Sequence, residues 1–540
     1  MEPAILKRLL ESPEGRYCRR SWALLDIREA GEAHLGHIPT ATALPRRMIE
    51  YRIRSIIPDL ATRMIVYDAG RLNDGRSDRR ASLAARTLAC FGYTDIEILK
   101  GGLSAWQAAQ GAIATGANVP SKLFGEKVLE EDRIPAITAQ ELSELLANQK
   151  NIAIRDVRTV DEFVHHHLPG AVSTPGFDLA ASLGRLSNDH DLVVINCAGR
   201  TRSIIATATA RHLGIDNVRA LENGTMGWRL AGEKTRSGAS ELAVDTAAAD
   251  QNDPVMLEKA RYLAQSVGLR MIEPDQLALL LDDPARRPVI IDLRPLSQFS
   301  GGHLPQAIAL PGGQAIQRTD EFLTTPGRPV VLCDAGELRA QLAGYWLKRM
   351  GFESVSVLAG GFERWSQAGH PVATGRHERP FIPNEASLRQ AVEFVEPAEV
   401  AAGYGADDGD QIPAILDVRT SRDYRSGHAP GSIWTPRGWL EDAVSDYPAS
   451  KTLIVVGQND AQALLAASQL IDEGYRQVAV MKGGLARWRE AGLPVETGLP
   501  ANAERYLPDL VEAPYTGDLT RMKAYLDWEV ALHAGGPAPR

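Results

Sequence analysis

Cysteine is scarce in this chain. The 540 residues hold four, Cys18, Cys90, Cys197 and Cys333, widely separated and without a Cys-x-x-Cys pair. That spacing excludes a disulfide framework and a cysteine zinc site, and points to a reducing, cytoplasmic setting. Long apolar runs are missing too. Leu192-Val193-Val194-Ile195 is typical of the longest, far below the roughly 20 residues of a membrane helix. The first residues carry Glu2 and no apolar stretch, unlike a secretory signal. No basic block occurs: 59 Lys and Arg stand against 68 Asp and Glu, a net charge of −9. Nucleic acid and membrane surfaces are therefore not expected as partners.

What is present is repetition. A strand-like segment ending in Asp-x-Arg occurs at Asp26-Ile27-Arg28, Asp156-Val157-Arg158, Asp292-Leu293-Arg294 and Asp417-Val418-Arg419. A His-x-Pro turn follows each, at His37, His167, His303 and His428. Next come a second apolar strand, an amphipathic helix, a third strand and a Gly turn leading to Trp106, Trp228, Trp365 or Trp488. The four Asp-x-Arg aspartates are 130, 136 and 125 residues apart, domain-sized steps that exceed any solenoid repeat. Short apolar strands alternating with helices predict an α/β fold: four tandem domains, each a parallel sheet with helices on both faces.

The expected domains span 1–120, 130–240, 255–378 and 388–500, followed by a tail over 501–540. The joins at 117–137, 239–253 and 376–384 read as linkers, rich in polar residues, alanine or proline. A helix is expected in the tail from Leu519 to Leu532, whose Met522, Leu526 and Val530 could pack on a neighbouring domain or a second chain.

The ordered set Asp-x-Arg, His-x-Pro, strand–loop–helix and Gly-Gly-x-x-x-Trp resembles the rhodanese, or sulfurtransferase, family over nearly the whole chain. The resemblance implies an enzyme that takes sulfane sulfur onto a cysteine as a persulfide and passes it to a thiol or cyanide. No cofactor and no metal are expected. The partners would be a small sulfur donor and a thiol acceptor, with a protein acceptor as an alternative.

The decisive position is read as the residue just after the second strand, where a helix N-terminus gathers backbone N–H groups that favour an anion and a thiolate nucleophile. The first copy has Asp68 there and the fourth Gly457, so both read as lacking the chemistry. The second has Cys197-Ala198-Gly199-Arg200-Thr201-Arg202-Ser203. By resemblance, Cys197 is the sulfur carrier, the amides of Ala198 to Ser203 its cradle, and Arg200 and Arg202 the contacts to a substrate anion. Ser203 reads as the helix N-cap. The family loop usually has glycine three residues after the cysteine, whereas Gly199 is two after. The loop also differs from the Cys-Gly-x-Gly-x-Thr type of mercaptopyruvate enzymes, which favours thiosulfate as donor.

In the third copy, Cys333 and Arg339 read as a second site. The spacing Cys-x5-Arg resembles the phosphatase branch of the fold, although Asp334 and Glu337 oppose an anionic substrate. The four histidines recur even where cysteine is missing, so a structural turn role is expected, as it is for the Asp-x-Arg pairs and the tryptophans. The run His165-His166-His167 cannot turn all its rings to one ion. Cys90 reads as a helix core residue and Cys18 as a surface thiol. Three functions remain open: thiosulfate sulfurtransferase through Cys197, persulfide carrier or scaffold for a protein acceptor, and phosphatase through Cys333 and Arg339.

Overall fold

The computed structural model describes residues 1–11, 22–72, 74–238, 253–325, 327–375, 380–404, 413–499, 507–511 and 517–535. Cys18 and most of the 239–253 join lie outside them. Within them, apolar strands form four all-parallel sheets, the first of four strands and the others of five. In the second sheet the order is Ala136–Ile137, Val218–Leu221, Leu192–Asn196, Ile152–Asp156 and Ala171–Ser173. The central strands are buried on both faces, as their unbroken Val and Ile content requires of a parallel sheet covered by helices. No helix among the described residues is long and apolar enough to cross a membrane.

The repeated polar motifs hold each domain's frame. Arg158 makes a two-pronged pair with Asp156 at 2.9 and 2.7 Å and donates to the His166 carbonyl at 2.6 Å. Arg28, Arg294 and Arg419 do the same to their own aspartates and to the carbonyls of Gly36, Gly302 and Gly427. The guanidinium thus closes the helix-to-turn segment against the strand end. His167 Nδ1 lies 2.9 Å from the Phe163 carbonyl, and its ring stacks on Phe163 at 4.0 Å. His303 stacks likewise on Phe299 and His428 on Tyr424. The indole N–H of Trp106, Trp228, Trp365 and Trp488 each donates to the carbonyl six residues on, as Trp228 does to Lys234 at 3.0 Å. These are turn locks and core anchors, as expected.

The domains pack on one another, the first meeting the fourth as well as its chain neighbours. The second and third meet so closely that a Cβ on Gly176 would stand 1.9 Å from the Gly313 nitrogen. Trp346 reaches across this interface to Thr209 Oγ1 at 2.8 Å, and Arg349 to Asp132. The first and fourth meet through buried Arg437 with Glu50 and through Arg46 with Glu441. One apolar cluster runs continuously through the first three domains.

Three expectations need correction. The 117–137 join is no plain linker: Val119–Glu131 is a 13-residue helix with proline in its first turn, buried through Lys122, Phe124 and Glu126. Cys90 is exposed, because it ends the helix Arg80–Cys90 on the face away from Ala84 and Leu88. Ser203 lies inside the helix Thr201–His212, where Arg200 is the residue before the first turn. The tail helix runs over Leu519–Gly535 and docks within the chain. Its Met522 and Leu526 pack on Met226 of the second domain, while Val530 stays exposed.

Candidate active site

Two independent markers identify the same position in each domain. The first is strand register. Asp26, Asp156, Asp292 and Asp417 sit opposite Tyr67, Asn196, Cys333 and Val456. The next residues, Asp68, Cys197, Asp334 and Gly457, are therefore equivalent. The second marker is the Gly turn. Backbone N–H groups of Leu103, Thr225 and Phe362 donate to the carbonyls of Asp68, Cys197 and Asp334 at 2.8–2.9 Å. A Cβ on Gly102, Gly224, Gly361 or Gly484 would fall 2.3–2.5 Å from the carbonyl oxygen at that position. Only glycine tolerates both this approach and the positive φ these residues adopt.

The third domain therefore carries Asp334, not Cys333, at the loop position. Cys333 is the last residue of the strand Val330–Cys333, fully buried with Leu277, Ile290, Leu358 and Trp365. Burial pushes its thiol well up, with Asp292 adding to the rise, so it stays protonated and unreactive. Counted from Asp334, Arg339 is five residues on, as Arg202 is from Cys197. The apparent Cys-x5-Arg spacing came from a one-residue shift, and with it goes the phosphatase geometry. Iodoacetamide applied to the native protein is expected to label exposed Cys90 and to spare Cys333. Cys333→Ala is expected to leave sulfur uptake intact; loss of uptake in that variant would restore Cys333 as a working site.

Where aspartate replaces the cysteine, it occupies the anion cradle itself. Asp334 accepts from the backbone N–H of Ala335 at 2.7 Å and of Arg339 at 3.0 Å, and pairs with the Arg339 guanidinium. Arg339 also reaches Asp178 of the second domain. Asp68 accepts from Gly70 and Ala81, both at 2.8 Å. Burial and the neighbouring Asp78 raise Asp68 to about 6. Each carboxylate thus takes the place a substrate anion would need.

The second domain's loop has no acid of its own. Cys197 is 2 % exposed, and its Sγ lies 3.3 Å from the Ser203 hydroxyl, which also donates to the Arg200 carbonyl. Cys197 lines a cavity of about 330 Å³ together with Lys122, Glu162, Arg202, Tyr525 and Glu529. Ala198, Gly199, Arg200 and Thr201 also line it, while Ser203, expected with them, is buried behind the loop and does not. Both arginines, however, are already paired. Arg200 holds Glu126 at 2.6 and 2.7 Å, and Arg202 holds Glu162 at 2.7 Å through both oxygens. Burial would raise Glu162, yet the Arg202 charge and its hydrogen bonds hold it down to about 2. The arginines are thereby fixed at the rim, with part of their field spent on the protein's own carboxylates.

The remaining walls come from outside the domain. Lys122 is 6 % exposed; its Nζ donates to the Ala117 carbonyl at 2.8 Å and lies 5.7 and 5.6 Å from the Tyr525 and Trp528 rings. Burial pushes the Lys122 ammonium down, while Glu529 and Asp320 oppose that shift. Glu529 Oε1 accepts from the Thr201 hydroxyl at 3.0 Å. Lys122, Glu126, Tyr525 and Glu529 escaped sequence reasoning. The helix bearing the first two read as a linker, and the other two lie more than 300 residues from the loop in sequence. The apolar spacing of Met522 and Leu526 was the only available signal that the tail docks at all.

The fold and this loop define the class: the chain belongs to the rhodanese-like domain family, which it matches over residues 2–109, 138–231, 273–368 and 396–491. It is similar throughout to a crystal structure of a thiosulfate sulfurtransferase from Pseudomonas aeruginosa, with 30% identity and a TM-score of 0.82. That likeness covers 99% of this chain and 97% of the other. Shorter relatives match single domains. Thiosulfate sulfurtransferase GlpE of Pseudomonas savastanoi pv. phaseolicola is 30% identical over 88 residues, covering 16% of this chain and 82% of the relative. Thiosulfate sulfurtransferase 16, chloroplastic, of Arabidopsis thaliana is 32% identical over 93 residues, covering 15% and 78%.

Proposed function

We propose that this protein is a sulfurtransferase in which Cys197 attacks the outer sulfur of thiosulfate, releases sulfite, and passes the bound sulfur to a thiol or cyanide. One observation carries the reading. Of the four equivalent positions, Asp68, Cys197, Asp334 and Gly457, only the second holds sulfur, and it opens on a cavity of small-molecule size. The names of the relatives agree with it. The Cys197 thiolate adds to the sulfane sulfur, the S–S bond breaks, and sulfite leaves with the electron pair. The N–H groups at the start of the helix Thr201–His212 face the new anion. The enclosing walls from Lys122 and the tail helix suit a small acceptor better than a docked protein.

Lys122 supplies the cationic wall for the donor, since Arg200 and Arg202 each carry a carboxylate. Lys122→Met keeps the buried stem and removes the charge. It is expected to raise the thiosulfate concentration for half-maximal sulfur uptake about tenfold, the effect of one charge-assisted contact. Uptake is read as a one-sulfur gain in intact mass. An unchanged concentration dependence would move donor recognition to the arginines.

A further inference from the structure

The Glu529 carboxyl is a buried acid with one oxygen committed and the other not. Oε1 holds the Thr201 hydroxyl, while Oε2, shielded from solvent, has no hydrogen-bond partner among the described residues. The residue is 2 % exposed and lines the same cavity as Cys197. Oε2 stands 3.3 Å from where a Cβ on Gly199 would lie, so it faces the loop two residues beyond the sulfur carrier. An unpaired carboxyl oxygen in such a place costs stability, and the protein keeps it in the wall of the cavity that Cys197 lines.

From this geometry we infer that Glu529 moves the proton in the second half of the reaction, taking it from the incoming acceptor thiol and returning it to the outer persulfide sulfur. The inference rests on the persulfide reading above. Sulfur uptake needs no proton: Cys197–S⁻ and thiosulfate give Cys197–S–S⁻ and sulfite. Discharge to a thiol does need one. The acceptor R–SH loses its proton to the Glu529 carboxylate, and the outer sulfur receives that proton to become Cys197–S–SH. The R–S⁻ lone pair then forms a bond to this sulfur, the bond to Cys197 breaks, and Cys197 departs as thiolate beside R–S–SH. Charge and protons balance, and Glu529 ends as it began.

The groups facing Glu529 set its carboxyl above the ordinary range. Burial raises it, Lys122 and the Thr201 hydroxyl oppose the rise, Glu126 adds to it, and Arg200 opposes it. A general base gains efficiency as its pKa approaches the working pH.

Sulfite separates this role from a structural one, because returning sulfur to sulfite involves no proton. Protein charged with thiosulfate and freed of excess donor would be mixed with 2-mercaptoethanol or with sulfite, and the loss of the sulfur mass followed with time. Glu529→Gln preserves size and the bond accepted from Thr201. It is expected to slow discharge to the thiol about 100-fold, within the usual range for a general base, and discharge to sulfite less than about twofold. Wild-type discharge to the thiol should be level with pH until Glu529 is protonated, then fall with further acidification. The variant's should climb with pH as preformed thiolate accumulates. Equal slowing with both acceptors, or no slowing with the thiol, overturns the assignment. Failure of the wild-type protein to gain sulfur overturns the persulfide reading itself, and this assignment with it.

Discussion

Cys197→Ser is expected to abolish the sulfur mass gain and to lower thiosulfate:cyanide sulfur transfer by about 10⁴-fold or more, the scale seen when a covalent nucleophile is removed. Serine fits the space, and its hydroxyl can keep the contact with Ser203 Oγ that Cys197 makes at 3.3 Å. The variant should therefore fold as the wild type does. A hydroxyl is hardly ionised at neutral pH and cannot carry sulfane sulfur. Neither neighbour can substitute, since Asp68 and Asp334 hold carboxylates in their cradles and Cys333 is locked in the core. Intact mass with and without thiosulfate decides the matter. A variant that still gains one sulfur would move the carrier to another cysteine and end the reading of the loop.

The second large effect concerns the frame. Arg158→Met leaves Asp156 as an uncompensated carboxylate at a position with no measurable exposure of either side chain. Removing one partner of such a pair costs about 3–5 kcal/mol. The His166 carbonyl also loses its donor. Unfolding of four packed domains is not one transition, so the measurement is native-state hydrogen exchange at the strand Leu192–Asn196. At 1.4 kcal/mol per decade, exchange there should speed up roughly 150- to 4,000-fold. Lys523→Ala breaks an exposed pair with Asp527, 68% and 65% accessible, and should change exchange less than about twofold. If the two variants behave alike, the Asp-x-Arg pair does not hold the domain together.

The four α/β units were legible because their markers are local. Asp-x-Arg, His-x-Pro and the Gly–Trp turn each act within about ten residues, so their order survives in the text of the chain. The error at Cys333 has an equally local cause. Cysteine is apolar enough to continue a strand, and Val330-Val331-Leu332-Cys333 shows no break at its true end. The Ala-Gly that follows Asp68, Cys197 and Asp334 alike was the signal that would have set the register. The walls of the cavity were a different matter. Lys122 and Glu126 belong to a helix whose buried residues mix Ser121, Lys122 and Glu126 with Phe124 and Val128, a pattern that apolar periodicity does not flag. Glu529 meets Thr201 only through the packing of the whole chain.

That last contact has a consequence in time. The Thr201 loop and the Glu529 carboxyl that closes it are 328 residues apart. A ribosome adding roughly 5–20 residues per second takes about 16–66 s to cover that distance. For most of this interval the second domain's sheet, completed by the strand Val218–Leu221, its loop and Cys197 have all been synthesised, while one wall of the cavity does not yet exist. Closure of the site reports that translation has passed all four domains, and a chain halted earlier leaves Cys197 without that cover.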